Sequence, residues 1–544
     1  MTSTHVPSAR TDLWAALAAM GAALYLFLTV SNASTVAEDA AILMRYSQHL
    51  GEGLGYVWNP GEGPVDGATD WLGATLLGAV YAVGVPLEAG PRLLGAAAHA
   101  LTVALVVIVA IRGFRAPAPV ALACAAFVAV GAARVYVEAG FLTTLFALGT
   151  LAGWACLVFA AMRKEAWWPW LFAVAMVFAS LTRPEGLGVT GIMVVAAAFV
   201  VERRSLLRIG GATILVFGVL FTAFVFWRWQ YFGRLLPLPF LKKGGGTLHW
   251  DGLLVSVRGV IILLGFMLPL LAAGLRPARP LRWLMAISVV IVGYTGMWIL
   301  LSSEMDYYYR FQYALVPIVA ASWPAVWSDV WPDLTRSATT WPLALRRALA
   351  VVAISVVIGG LVWQHRRFVP VSTHHSLKDV ALLLRKFGGP ENVVVTTEAG
   401  LVPLYSRWKA IDSWGLNDVR IVQEGGLTVA YLETTQPDVI LFHSYFTPVF
   451  RPPLADNGWN QMVDTLHRYA VCRGYELAAV YAVGFREAHY IYVKPAWKGA
   501  GDFARALKGL SYRWWGSDQT LPELSALERF APSCEGSVGA KGGS

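Results

Sequence analysis

The stretch Phe141–Ala161, FLTTLFALGTLAGWACLVFAA, runs 21 residues without a charged side chain. Wound as an α-helix at about 1.5 Å per residue, it is about 30 Å long, the thickness of a bilayer's hydrocarbon core. Outward from it, further apolar runs divide the first two-thirds of the chain: Leu13–Val30, Trp71–Val85, Leu93–Ile111, Pro119–Ala133, Trp167–Leu181, Leu187–Val201, Ile209–Trp229, Leu253–Leu275, Trp283–Leu301, Phe311–Trp327 and Ala348–Trp363. After Trp363 no such run occurs and charge returns. Composition agrees. Of 544 residues, 57% are hydrophobic and 14% charged, whereas a soluble domain carries about 25% charged residues. A single water-soluble globule and a disordered chain are both excluded. The 43 basic and 34 acidic residues leave +9, a modest excess of the kind cytoplasmic loops carry, not a nucleic-acid footprint.

The pattern predicts a polytopic α-helical membrane domain over residues 1–364 and a mixed α/β domain over 365–544, with a disordered tail after about 536. Within the second domain, Ser376–Phe387 has amphipathic helix spacing, and Val393–Thr397, Val439–Phe442, Leu477–Val483 and Tyr490–Val493 are β-rich. The basic groups Arg163/Lys164, Arg203/Arg204/Arg208 and Arg276/Arg279/Arg282 recur at every second loop, which assigns those loops to the cytoplasm. That register requires Trp71–Val85 to be re-entrant or interfacial. It leaves eleven crossings, with the N-terminus inside and the C-terminal domain outside. The four cysteines, Cys124, Cys156, Cys472 and Cys534, have no CxxC spacing, so zinc and iron–sulfur readings fail; the last two can pair if their segment is extracytoplasmic.

Four outside loops then carry the ionisable residues. The first, 31–70, contains Ile42, Leu43, Tyr46 and Leu50 at helical spacing, an interfacial helix by pattern, and the turn signal Trp58-Asn59-Pro60-Gly61. Glu38 and Asp39 precede that helix. Glu38 fits a capping box with Thr35, and either carboxylate fits a general base, which must be ionised and within reach of the proton it takes. Neighbours on a helix do not face each other, so the two are not a shared-proton dyad. Arg183 and Glu185 interrupt two short apolar runs, as a hairpin-closing pair or as functional charges at membrane depth. Arg234, Lys242 and Lys243 lie on the face that positive-inside bias disfavours. They snorkel to headgroups, or they bind an anion such as phosphate, bidentately for arginine and as a point charge for lysine. Glu304, Asp306 and Arg310 exceed what an aromatic belt of Tyr307–Tyr309 requires. In the outside domain, Glu398–Ser406 and Ile411–Asp418 follow strands, where binding residues concentrate and turn chemistry serves equally well, and Tyr405, Trp408 and Trp414 put rings in or between these stretches. His374-His375 lacks companions at metal spacing and reads as solvated surface.

These stretches carry a resemblance. Glu38-Asp39 with Arg45-Tyr46 and Gly55–Glu62, Asp66–Thr69, Arg183-Pro-Glu185-Gly186, Tyr231-Phe-Gly233 with Lys242, Arg310-Phe311, and Glu398-Ala-Gly400 through Asp418 occur in this order over residues 38 to 418. The chain resembles the GT-C glycosyltransferases that use polyprenyl-phosphate-linked sugars, most of all the bacterial group containing the terminal arabinofuranosyltransferase. Where that family commonly has Gly-x-Glu-Thr, this chain has Gly140-Phe141-Leu142-Thr143, with Glu138 nearby. The resemblance implies an inverting transfer of a sugar, arabinofuranosyl by family, to a cell-wall glycan, lipoglycan or exported-protein acceptor outside a bacterial plasma membrane. It implies Asp39 as base with Glu38 assisting, and Arg183, Arg234, Arg310 and Lys242 around the donor phosphate. Glu185, Asp306, Glu304, Asn59, Tyr405, Trp414 and Asp412 would then contact substrate. No cofactor is required, although a divalent cation at Glu38 and Asp39 is compatible with the chemistry. A transporter or flippase of the same lipid, or a non-catalytic envelope assembly protein, are the competing readings.

Overall fold

The computed structural model describes residues 8–31, 34–163, 165–243, 247–265, 267–272, 281–327, 342–368, 375–482, 486–514, 517–518, 532 and 534. Lys164, Arg276, Arg279, His374 and the tail after 536 lie outside them. Five helices are long and apolar enough to cross a membrane: Ala9–Thr29, Ala89–Gly113, Thr143–Met162, Arg203–Phe232 and Leu343–Arg367. Trp71–Ala82, Ala118–Ala129, Trp168–Thr182, Glu185–Ala197, Arg282–Met297 and Leu315–Trp327 are shorter apolar helices. Val103, Val106, Trp154, Met176, Val319 and their neighbours form the core of this helical body. Leu343–Arg367 exposes Val351, Val352, Ile354, Val356 and Ile358, an apolar surface of the kind that lipid covers. The protein is a helical membrane protein with a C-terminal sheet domain.

Four helices define the working end. α1 (Ser8–Thr29) leads into the first loop, whose α2 (Glu38–Gly51) packs on α3 (Trp71–Ala82), and α3 leads to α4 (Ala89–Ile108). At 12 residues, α3 is about 18 Å long, short of a bilayer. The sequence pattern of α2 suits a helix lying on the membrane, but the structure buries it instead. Ala41, Met44, Arg45 and Tyr46 are all within the protein, because α3 covers one side and the C-terminal domain the other.

The C-terminal domain is a five-stranded sheet of β1 (Val393–Thr396), β2 (Lys409–Asp412), β3 (Val439–Ser444), β4 (Glu476–Ala482) and β5 (Ala488–Val493). The order is β2-β1-β3-β5-β4, with β2, β1 and β3 parallel and β5 antiparallel to both β3 and β4. The chain leaves β1 for β2 on one side and then returns to β3 on the other. Strand order therefore reverses between β1 and β3, and the carboxyl ends of these two strands frame a crevice of the type where open α/β sheets bind ligands. Ser376–Phe387 is a helix with the boundaries its amphipathic pattern suggests. Cys472 and Cys534 are joined in a disulfide, while Cys124 and Cys156 are free and buried.

Arg45 locks this domain onto the first loop. Its guanidinium lies over the Trp58 ring and donates to the carbonyls of Trp58, Pro403 and Trp408 and to Asn59 Oδ1. The Trp58 indole donates to Ala410 O, and Tyr46 donates to Asn417 Oδ1 at 2.9 Å. In the Asn59–Glu62 turn, Glu62 N reaches Asn59 O and Gly61 takes φ +84°, which glycine alone tolerates without strain. Stranding a buried acceptor costs about 1–3 kcal/mol. Arg45→Met should therefore lower the thermal midpoint of the purified protein by several degrees, as followed by circular dichroism. An unchanged midpoint would remove Arg45 from this role.

Candidate active site

The site grows from the ends of helices that meet at one end of the bundle. Asp39 sits in the first turn of α2, and its Oδ2 accepts from Arg310 Nη2 at 2.6 Å. Arg310 is held by rings on several sides: its guanidinium carbon lies 3.9 Å from the Phe141 ring centre, 5.1 Å from Phe311 and 5.7 Å from Tyr307. Phe311 also carries the second arginine, for Arg183 stands 4.6 Å over the same ring. Arg183 Nη2 in turn pairs with Glu185 Oε1 at 2.7 Å, across the break between the helices Trp168–Thr182 and Glu185–Ala197. Two guanidiniums thus share one aromatic ring, each with its own carboxylate, Asp39 on Arg310 and Glu185 on Arg183. Arg163 precedes the first of the two helices that Arg183 joins and Arg203 follows the second, so both lie toward the helix ends remote from Arg183.

The loop bearing Arg310 is strained. Met305, Tyr308 and Tyr309 take φ of +64°, +54° and +58°, a region that costs non-glycine residues about 1 kcal/mol or more each. Tyr136 fixes the loop by donating to Tyr308 O at 2.7 Å, and Asp306 Oδ1 accepts from the Phe311 amide at 3.0 Å. Among the described residues, Asp306 Oδ2, Glu185 Oε2 and Arg310 Nε are buried without a hydrogen-bond partner. Such atoms call for a partner, a ligand or an ordered water. Burial pushes the Asp306 carboxyl up to about 6, against the pull of the Phe311 amide, Arg310 and Arg183.

Glu38 turns the other way. Its Oε1 accepts from the amides of Gly400 and Leu401 at 2.5 and 3.0 Å, so it caps the helix Leu401–Ser406 of the C-terminal domain. The capping box is not formed: Ala37 is the N-cap of α2, and Thr35 Oγ1 accepts from His375 N. Burial first, then the facing Glu398, pushes the Glu38 carboxyl well up.

Lys242 stands 4.3 Å from the Trp414 ring, and Lys243 Nζ is 4.0 Å from Glu304 Oε2, so these four residues form a separate patch beside the sheet domain. Arg234 makes no ion pair among the described residues, and nothing joins it to Asp39, Arg183 or Arg310. Several candidate substrate contacts are committed elsewhere. Asn59 holds Arg45 and the backbone of Ala410. Asp412 accepts from the Trp414, Gly415 and Asn417 amides and from the Asn417 side chain, a loop staple with both oxygens used. Tyr405 donates to Glu88 and lies under Lys378, at the domain junction. Trp408 is fully buried against Trp497, and His375 is buried too, not solvated surface. Two participants escaped the sequence reading. Phe141 supports Arg310, and Arg228 pairs with Asp66, binding the helix Thr222–Phe232 to the first loop. Among the described residues, Glu38 and Asp39 do not gather a third metal-ligating side chain.

Residues 365–504 match the family model described as a domain of unknown function, DUF8728. No curated protein matches the chain by sequence. Among solved structures it is similar to ArnT from Cupriavidus metallidurans in the apo state, at 14% identity and TM-score 0.57 over 88% of this chain and 97% of that one. It is similar to the same protein bound to undecaprenyl phosphate, at 14% identity and TM-score 0.50 over 88% and 98%. A third is the archaeal oligosaccharyltransferase AglB from Archaeoglobus fulgidus in complex with an inhibitory peptide and a dolichol-phosphate, at 10% identity and TM-score 0.51 over 90% and 74%. At such identities the likeness is one of fold, and the fold is that of these GT-C proteins. It does not single out the arabinofuranosyltransferase group.

Because the pKa of Asp306 stands higher in the folded chain than its unfolded value near 4, its contribution to stability is full below about pH 4 and is lost as pH rises through 6. Asp306→Asn should flatten that decline in thermal midpoint relative to the parent. Parallel profiles between pH 4 and 7 would exclude Asp306 as its source.

Proposed function

We propose that the chain is an inverting membrane glycosyltransferase that moves a sugar from a polyprenyl-phosphate donor to an acceptor hydroxyl on the extracytoplasmic face. The observation that carries this reading is that Arg310, paired with Asp39, shares the Phe311 ring with Arg183. It joins a base to a pair of guanidiniums suited to a phosphate. In the reaction the acceptor oxygen gives its proton to Asp39 and attacks the anomeric carbon. The bond from that carbon to the phosphate oxygen breaks, and its electron pair leaves with the phosphate. One displacement inverts the anomeric centre. Negative charge develops on the leaving phosphate, so preorganised arginines do most of the work. On donor binding, the phosphate takes over the Arg310 contact and releases Asp39 toward the acceptor. Glu38 fixes the first turn of α2 and so positions Asp39. Lys242 with Trp414 suits an acceptor glycan, the lysine meeting polar groups and the indole a sugar face.

Fold likeness to ArnT bound to undecaprenyl phosphate and to AglB with a dolichol-phosphate supports a lipid-linked donor. The cytoplasmic assignment of the basic loops and the Cys472–Cys534 disulfide both favour an outward-facing site in a bacterial plasma membrane. The arabinofuranosyl identity of the sugar rests on the resemblance of the sequence motifs, and a cell-envelope glycan is the acceptor that goes with it.

The test uses the full chain in proteoliposomes with a radiolabelled polyprenyl-phosphoryl arabinofuranose and an envelope glycan acceptor. The parent should release polyprenyl phosphate in step with glycan labelling. Asp39→Asn should lose turnover by about 10²–10⁴-fold, the range for a positioned general base, while binding donor normally. Near-normal turnover in that variant removes Asp39 from the role. Lipid movement without bond cleavage in the parent would favour a flippase.

A further inference from the structure

A second polar cluster lies in the crevice of the sheet domain, apart from the arginines. Glu398 follows β1, His443 is near the end of β3, and His489 is near the start of β5. The register of β3 against β5 sets His443 directly opposite His489, with the ring centres 5.2 Å apart. One donor atom from each of Glu398, His443 and His489 lies within 4.8 Å of the other two. His489 Nε2 and Glu398 Oε1 are 3.4 Å apart, close to the donor–donor spacing of about 3.3 Å that a tetrahedral ion with 2.0–2.1 Å bonds requires. The His489 ring is oriented from behind, since Tyr512 Oη and His489 Nδ1 are hydrogen-bonded at 2.8 Å. A hydrogen bond at the far ring nitrogen orients a metal-bound histidine, and here it directs Nε2 toward the cluster. At the solvent rim Glu487 Oε2 is 3.7 Å from His443 Nε2, within reach of a fourth position.

We infer that Glu398, His443 and His489 form a binding site for a divalent transition-metal ion, with zinc the best fit to two imidazoles and a carboxylate. Three features argue for this. Imidazole and carboxylate together are borderline donors that suit zinc and its first-row neighbours better than calcium or magnesium. The cluster occupies the carboxyl ends of β1 and β3, where strand order reverses and ligands enter such sheets. It is supported from behind, by Tyr512 on the His489 ring and by Thr397, whose Oγ1 accepts from the His443 backbone amide at 2.8 Å. The ion would tie three strands together directly behind Gly400 and Leu401, whose amides receive Glu38. It would thereby stiffen the socket that locates α2, without touching the donor.

The experiment uses tag-free full-length protein in nanodiscs, stripped with chelator and titrated with zinc chloride, with bound metal counted by plasma mass spectrometry. One zinc per chain should rebind. Replacing zinc with cobalt should give the absorption bands of a low-coordinate nitrogen and oxygen site. His443→Ala, at the least buried of the three ligands, should weaken zinc affinity at least 100-fold, and Tyr512→Phe, which keeps the ring and removes the hydroxyl, by about 10-fold. Glu304→Gln, in the separate lysine patch, should bind as the parent does. Failure of the parent to bind zinc or cobalt, or equal binding by the parent and His443→Ala, overturns the site. Because the readout is bound metal and not turnover, the result stands apart from the proposed transferase activity.

Discussion

Two neighbouring carboxylates on the first turn of α2 hold the molecule's working parts in one frame. Successive residues on a helix point about 100° apart, so Glu38 and Asp39 reach different partners. Glu38 receives the amides of Gly400 and Leu401 and thereby seats the sheet domain, while Asp39 receives Arg310 from the loop between two apolar helices. The contact is close enough to dictate a residue: a Cβ on Gly400 would stand 1.9 Å from the carbonyl oxygen of Glu38. Any side chain there would push the domain off α2 and carry Asp39 with it. The position of the candidate base thus depends on how a soluble domain sits on a membrane domain.

The same frame explains how charges are kept in an apolar setting. Arg310 and Arg183 are surrounded mainly by rings, Phe141, Phe146, Tyr307 and Phe311, whose faces attract cations without neutralising them. Among the described residues each pairs with one carboxylate, Asp39 or Glu185, so each keeps donor capacity for an anion. Strain at Met305, Tyr308 and Tyr309 accompanies this arrangement, as expected where a loop is held for a purpose other than stability.

Much of this was legible in the sequence, and the reasons differ by element. The apolar runs announced the helical body because lipid demands continuous hydrophobic surface. Arg183, Glu185, Asp306 and Arg310 stood out because ionisable residues at the ends of such runs are costly. The pairing of Asp39 with Arg310 spans 271 residues and left no local trace. Nor did the clamp of Arg45 on Trp408, or the pairing of Arg228 with Asp66. Asp412, Asn59 and Trp408 resembled ligand contacts because polar and aromatic residues at strand ends often are. Here they secure a turn, a loop and a core. β2 is four residues long and too short for its pattern to speak. The histidines of the sheet crevice lie 46 positions apart and meet only through strand register.

Under the proposed function, Arg310 and Arg183 receive the phosphate of a lipid-linked sugar beside Asp39. A cryo-EM structure of the full chain in nanodiscs with a bound polyprenyl phosphate tests it most directly. The account predicts phosphate oxygens within about 3 Å of both guanidiniums, with Arg310 drawn away from Asp39. A phosphate seated elsewhere, with the Asp39–Arg310 pair intact and closed, would contradict it.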